Sequence, residues 1–237
     1  MRSNHPLRAF DHAYAFVLIV VFPLFAKFWG YPRLLEALER GDPGARTTSY
    51  AATMVIQWTL VGILVFAWHR FRRPAAALGW RRPRGWRLAL AIALPVLLSV
   101  LTVVQSIALA NQPALLDQPR AQLGDLVKMV PHTNQELNLF MALSLTAGVC
   151  EELLYRSFLI GYVARFMPPI LAVVLCGVVF GVGHLYQGIA GATRIGILGI
   201  VLGGLYLLMG SVWPLMALHA IIDVGGGIVG FLVARAS

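Results

Sequence analysis

The chain has 237 residues, of which 59% are hydrophobic and only 12% are charged, and its mean hydropathy is +0.75. A soluble domain is about half apolar and about a quarter charged, so this composition excludes an ordinary soluble protein and predicts an all-α, polytopic transmembrane helical bundle. The formal net charge of +9 does not indicate nucleic-acid binding, because seven arginines lie in one short interval, residues 70–87, between two apolar segments.

About seven apolar windows, with a range of six to eight, approach the length of a membrane-spanning helix. Proline and glycine mark several of the joints between them, as in Gly41-Asp42-Pro43-Gly44 and Pro168-Pro169. The longest polar interval, residues 111–136, predicts a cap or an interfacial helix. The windows are residues 13–29, 50–69, 88–110, 137–163, 169–185, 195–209 and 212–233.

We expect one integral membrane domain over residues 1–237. Within it, residues 1–112 carry helices without a recognisable motif, and residues 137–228 carry the polar groups described below.

The distribution of arginine predicts the orientation of the chain. Short cytoplasmic loops are enriched in arginine and lysine, so residues 70–87 are expected in the cytoplasm, where they can also contact anionic lipid headgroups. Arg2 and Arg8 then place the N-terminus on the same side. Lys27 and Lys128 are the only lysines, and this preference for arginine indicates a GC-rich bacterial genome. We therefore expect a multi-pass protein of the bacterial inner (plasma) membrane.

Five ionisable residues stand out because they lie inside apolar windows. After Glu136, the only acidic residues are Glu151, Glu152 and Asp223, and the only histidines are His184 and His219. A charge at the centre of the bilayer costs at least ~2.5–3.5 kcal/mol on insertion scales, so each group needs a partner, a water-filled cavity or a function.

Helical spacing separates the two glutamates. Glu152 lies four residues before Arg156, which favours an internal ion pair, whereas Glu151 points about 100° away and is left as the freer carboxylate and a candidate general base. His219 and Asp223 are also one turn apart, and an aspartate often accepts a hydrogen bond from an imidazole N–H. Taken singly, each pair is equally explained as a structural ion pair or hydrogen bond without chemistry.

Small residues in these windows are interpreted as packing residues. Cys150 and Cys176 have no CxxC or metal-finger spacing and imply no disulfide framework. The glycines of the last two windows predict close approach of helix backbones. They are Gly196, Gly199, Gly203, Gly204, Gly225, Gly226, Gly227 and Gly230.

Three motifs occur in order on separate apolar windows: Glu-Glu-x-x-x-Arg at residues 151–156, Phe-x-x-x-His at 180–184 and His-x-x-x-Asp at 219–223. This set resembles the motifs of the CPBP (Abi) family, which includes the CAAX-prenyl endopeptidases and other glutamate-type intramembrane proteases. The resemblance covers about residues 137–228.

The resemblance implies a division of labour among the polar residues. Glu151 and His184 would activate the attacking water, and Glu152 and Arg156 would order the site. Phe180 would line the cavity.

His219 and Asp223 would form or support the oxyanion hole. The eukaryotic CAAX enzymes have asparagine at the last position, which donates a hydrogen bond. Since an aspartate donates only when it is protonated, Asp223 is alternatively expected to orient His219 and to leave the oxyanion contact to that imidazole.

The function implied is hydrolysis of a peptide bond in a membrane-anchored protein or peptide within the lipid bilayer, without a cofactor, in C-terminal sorting-tag or peptide and bacteriocin processing. Two alternatives stay open. Glu151, His184 and His219 are a possible two-histidine, one-carboxylate zinc site, although the short His-Glu-x-x-His motif is absent. A non-catalytic transporter or immunity protein also places such groups in helices.

Overall fold

The computed structural model describes residues 6–236, and the described residues form helices and connecting turns without a strand. The all-α polytopic bundle is thus confirmed: six helices are long and apolar enough to cross a membrane, and a seventh apolar helix is shorter. Arg2 lies outside the described residues. The helices are α1 Ala9–Glu39, α2 Ala45–Arg70, α3 Trp86–Asn111, α4 Asp117–Leu123, α5 Asn134–Val163, α6 Pro169–Val182, α7 Gly188–Met209 and α8 Trp213–Arg235.

Each predicted window corresponds to one of these helices, but the fifth, residues 169–185, runs three residues past the end of α6, and several helices extend well beyond the apolar residues. The polar interval between α3 and α5 contains three short helices, of which α4 is the central one. Leu116 from this interval packs with Leu109 of α3 and Val233 of α8 in a small separate core. The interval therefore caps one end of the bundle.

One end of the bundle, here called the arginine-rich end, collects the start of α1, residues 70–87, the α5–α6 turn and the α7–α8 turn. Asp11 forms a buried ion pair with Arg73 at 2.7 Å. His12 Nδ1 is 2.8 Å from the Tyr162 hydroxyl. The Ser211 hydroxyl donates to the Arg81 carbonyl oxygen at 2.6 Å.

The opposite end collects the α1–α2 loop, residues 112–133 and the end of α8. Arg46 donates to the Lys128 carbonyl oxygen at 2.8 Å, and its guanidinium is 3.4 Å from the Glu136 carboxylate. Arg120 donates to the Ala236 carbonyl oxygen at 3.0 Å. Five helices, α1, α2, α3, α5 and α8, therefore run from one end to the other, whereas α6 and α7 enter from the arginine-rich end and return to it.

Of the eight glycines predicted to allow close backbone approach, Gly196 and Gly199 do so, whereas Gly204 and Gly226 have no neighbour within 4 Å and the other four meet side chains. Gly177 and Gly181 of α6 lie against Gly196 and Gly199 of α7, where added Cβ atoms would meet backbone atoms. Gly148 of α5 lies in the same way against the backbone of α8. These contacts join α6 to α7 and α5 to α8.

Two helices contain π-helical turns. The regular α-helical spacing assumed from the sequence does not predict them. Helix α5 is π-helical over Glu152–Leu159, directly after Glu151. Helix α1 is π-helical over Val17–Val21 and Ala26–Gly30. Each α1 segment ends two residues before a proline, whose missing N–H disrupts the normal hydrogen-bond ladder, and π-turns are frequent at functional sites.

Helix α6 is too short to cross the bilayer. Its 14 residues rise only about 21 Å at 1.5 Å per residue, against a hydrocarbon core of about 30 Å. It starts at the arginine-rich end, so its last turn and the following His184 stop within the thickness of the bundle.

Candidate active site

The first motif provides a completely buried ion pair. Arg156 Nη1 lies 2.9 Å from Glu152 Oε1, and the two side chains are 2% and 0% exposed. The Arg156 guanidinium also lies over the Phe180 ring, with Cζ 4.5 Å from the ring centroid. The predicted pair is therefore formed, and it joins the motif on α5 to the motif on α6.

The third motif reaches the same glutamate from α8. The Nδ1–H of His219 donates to Glu152 Oε1 at 2.7 Å in buried surroundings. Its Nε2 lies 3.8 Å from Glu151 Oε2 and 3.6 Å from Asp223 Oδ2. The hydrogen bond that orients the imidazole thus goes to Glu152, whereas the sequence favoured Asp223, whose contact is longer than a hydrogen bond.

His184 is held by its own helix end. Its Nδ1–H donates to the Phe180 carbonyl oxygen at 2.8 Å, and the imidazole lies beside the Phe180 ring at 4.8 Å between centroids. This contact leaves Nε2 without a proton in the neutral ring and free to accept a hydrogen bond.

A cavity of about 440 Å³ connects these residues to the opposite end of the bundle. Glu151, Tyr155 and His184 line its inner part, and Arg33 and Asp42 line its mouth. Helices α1 and α2 form the walls between. Glu151 and His184 therefore face one shared space that is large enough for water and part of a peptide.

Residues 133–225 match the family model of type II CAAX prenyl endopeptidase Rce1-like proteins. These residues form an Rce1-like domain. The match contains all three motifs and supports a CAAX-type intramembrane protease in general. No curated protein and no solved structure matches the chain.

One polar residue at the site lies outside the Rce1-like domain and was missed from the sequence. Gln57 of α2 is 3% exposed, and its Nε2–H donates to Glu151 Oε1 at 2.7 Å. Its own Oε1 is buried and has no hydrogen-bond partner among the described residues. The available signal was a single amide side chain in the middle of the second apolar window.

The remaining predicted groups are placed as follows. The Asp223 side chain is 32% exposed, more than the side chains of Glu151 and Glu152. Cys150 and Cys176 are buried, free and packed in the main core, as their interpretation as packing residues expected. In the described part of the chain, no group of three histidine, cysteine, aspartate or glutamate residues has the arrangement of a metal site.

Proposed function

We propose that the chain is a glutamate-type intramembrane endopeptidase that hydrolyses a peptide bond of a membrane-anchored protein or peptide. The observation that supports this most is the placement of Glu151 and His184 on one cavity. The Gln57 amide orients Glu151 through Oε1, and the Phe180 carbonyl orients His184 through Nδ1. The other carboxylate oxygen of Glu151 and the Nε2 atom of His184 are then left as hydrogen-bond acceptors.

The proposed reaction needs no covalent intermediate. Glu151 accepts a proton from a water molecule whose second hydrogen is bound by His184 Nε2, and the water oxygen attacks the scissile carbonyl carbon. The tetrahedral intermediate then loses its amine, which receives the proton from Glu151 as the C–N bond breaks. Positioning of this water by two oriented groups is the main contribution of the site.

His219 is the proposed donor to the developing oxyanion. Because its Nδ1–H is used by Glu152, only the doubly protonated ring can donate from Nε2. Asp223, 3.6 Å from Nε2, then acts as a nearby counter-charge rather than as a donor. Glu152 and Arg156 order the imidazole and do not touch the substrate.

We further propose that the protein lies in the bacterial inner (plasma) membrane with a cytoplasmic N-terminus. Processing of C-terminal sorting tags, or maturation of peptides and bacteriocins, would fit a protease of this kind. A zinc-dependent version, or a non-catalytic transporter or immunity protein, would give different results in the tests below.

The decisive experiment is co-expression with tagged candidate membrane proteins encoded near the gene. Glu151→Gln and His184→Ala should each lower processing by about 10²-fold or more, since a general base contributes 10²–10⁴-fold. Glu39→Gln, at the exposed end of α1, is the matched carboxylate control and should leave processing unchanged. Processing that persists in Glu151→Gln would exclude the proposed mechanism.

Two further measurements separate the alternatives. Loss of processing in a chelator, restored by added zinc, would favour the metal-dependent reaction over the one proposed. A transport flux that depends on Glu151, in the absence of any Glu151-dependent processing, would identify a transporter instead.

A further inference from the structure

Charge is distributed very unequally between the two ends of the bundle. Among the described residues at the arginine-rich end, the only acidic one is Asp11, and it is already paired with Arg73. Nine arginines lie there: Arg8, Arg70, Arg72, Arg73, Arg81, Arg82, Arg84, Arg87 and Arg165. The opposite end has six basic residues, Arg33, Arg40, Arg46, Arg120, Lys128 and Arg235, and six acidic ones, Glu36, Glu39, Asp42, Asp117, Asp125 and Glu136.

This difference orients the bundle across a membrane. Short loops rich in arginine are retained in the cytoplasm, and acidic residues contribute little to the rule. The arginine-rich end carries all of its charges in short loops and helix ends, so it is the cytoplasmic end. The opposite end is then extracytoplasmic.

The cavity opens at the opposite end. Its mouth is lined by Arg33 and Asp42 from the α1–α2 region and by Met129 from the capping segment. The smaller cavity at the arginine-rich end, about 40 Å³, is lined by Asp11, Arg73 and Ser157, and neither Glu151 nor His184 reaches it. A substrate would therefore approach from the end of the bundle that lies opposite the arginine-rich end.

The depth of the cavity sets the length of chain that must enter it. From Ala45 at the mouth to Gln57 at the base, α2 rises about 18 Å at 1.5 Å per residue. An extended peptide advances about 3.3 Å per residue, so about five or six residues span this depth.

The two walls of the cavity differ in chemistry. Helix α1 contributes the aromatic side chains of Phe22, Phe25 and Trp29, whereas α2 contributes polar side chains such as Thr53 and Gln57. An extended segment would place apolar side chains on the first wall and its peptide groups on the second. Among the described residues, the buried Gln57 Oε1 atom has no hydrogen-bond partner.

We infer that the candidate site is open to the extracytoplasmic side and takes an extended segment of about five or six residues next to the extracytoplasmic end of a membrane anchor. The orientation follows from the charge distribution and the cavity. The substrate class additionally rests on the proposed function.

Cysteine labelling in a bacterial inner membrane tests the orientation without any need for activity. Thr48→Cys places a thiol at the cavity mouth, and Ala75→Cys places the matched control in the arginine-rich loop, both at exposed positions. The unchanged chain is the negative control: it should not be labelled, because its two cysteines, Cys150 and Cys176, are buried. The probe is a membrane-impermeant, sulfonated maleimide applied to intact spheroplasts and to permeabilised ones.

The expected result is that Thr48→Cys reacts in intact spheroplasts and Ala75→Cys reacts only after permeabilisation. Reaction of Ala75→Cys in intact spheroplasts would overturn the orientation. So would a Thr48→Cys chain that reacts only after permeabilisation.

Mass spectrometry of protein termini tests the substrate class in the same membranes. Termini found with the unchanged chain and missing with Glu151→Gln should lie within about six residues of the extracytoplasmic end of a transmembrane span. Glu151-dependent termini on the cytoplasmic side would overturn the inference while supporting the protease. Absence of any Glu151-dependent terminus would exclude the protease and this substrate class, and the labelling would still decide the orientation.

Discussion

At the scale of single residues, one oxygen atom connects the three motifs. Glu152 Oε1 lies 2.9 Å from the Arg156 guanidinium and 2.7 Å from His219 Nδ1, in complete burial. A buried carboxylate with two cationic or donor partners is stabilised only while both remain in place. Glu152 therefore fixes the tautomer and direction of His219, and it can do so without touching a substrate.

Removing Arg156 should destabilise the protein strongly. Arg156→Met keeps most of the volume but leaves Glu152 as an uncompensated buried charge, so the free energy of unfolding should fall by about 3–5 kcal/mol. The double variant Glu152→Gln/Arg156→Met removes both charges, while a glutamine side chain can still accept from His219. Chemical unfolding in detergent micelles should show partial recovery in the double variant, and equal loss in both variants would contradict the argument.

Gln57 is expected to position Glu151 rather than to hold the fold. Gln57→Leu removes a hydrogen bond to a charged group, which is worth about 1.5–3 kcal/mol and so about 10- to 150-fold in rate. Kinetics on a processed substrate should show a lower kcat with little change in KM. Thr59→Val is the matched control, because Thr59 is exposed on the same helix and its hydroxyl donates to the Val55 carbonyl oxygen one turn earlier. A change confined to stability would show a purely structural role.

At the scale of helices, the site depends on close backbone contacts made possible by glycine. A Cβ atom at Gly148 of α5 would lie 2.7 Å from the Met216 carbonyl oxygen and 2.8 Å from the Ala220 Cβ atom of α8. Both of these residues flank His219 on the same helix. The distance between Glu152 and His219 is therefore set by this contact.

A matched pair of glycine substitutions on α5 tests this dependence. Gly148→Ala should cost about 1–3 kcal/mol, because the new methyl group meets backbone that cannot move easily. Gly161→Ala should be neutral or slightly stabilising, because a Cβ atom there has no neighbour within 4 Å and alanine favours helix. Thermal unfolding of both variants in detergent gives the comparison. Equal transition temperatures would show that α5 and α8 are not in close contact.

At the scale of the whole molecule, the N-terminal helices complete a site whose motifs all lie in residues 133–225. Helix α2 supplies Gln57, and α1 supplies the aromatic wall of the cavity. Helix α1 is fastened at the arginine-rich end by Asp11, which accepts two 2.7 Å hydrogen bonds from Arg73. The cavity therefore needs both parts of the chain.

Removing the Asp11–Arg73 ion pair should destabilise the whole bundle. Asp11→Asn leaves the nearly buried Arg73 without a counter-charge, so it should lower the free energy of unfolding by about 3–5 kcal/mol. Glu36→Gln breaks an exposed, solvent-screened ion pair at the other end of the same helix and should leave the free energy of unfolding almost unchanged. Unfolding in detergent measures both. Similar small losses would show that the Asp11 pair does not hold α1 in place.

The predictions that succeeded from the sequence concern features encoded within one helix. Hydropathy over about 20 residues located the membrane helices, and the four-residue spacing of Glu152 and Arg156 anticipated their contact. The separation of Glu151 from Glu152 follows from the same local geometry. The π-helical turn after Glu151 carried no comparable signal, because no proline or glycine interrupts residues 152–159.

The sequence by itself determined the fold class, the membrane windows and the identity of the polar groups, since local hydrogen bonding and hydropathy depend on neighbouring residues. Only the tertiary structure decided which partner each group takes. His219 meets Glu152 across 67 residues, and Gln57 meets Glu151 across 94. The contact between His219 and Glu152 depends on the close approach of α5 and α8 at Gly148, and the position of His184 depends on the short α6. Such packing is a property of the whole chain rather than of any one segment.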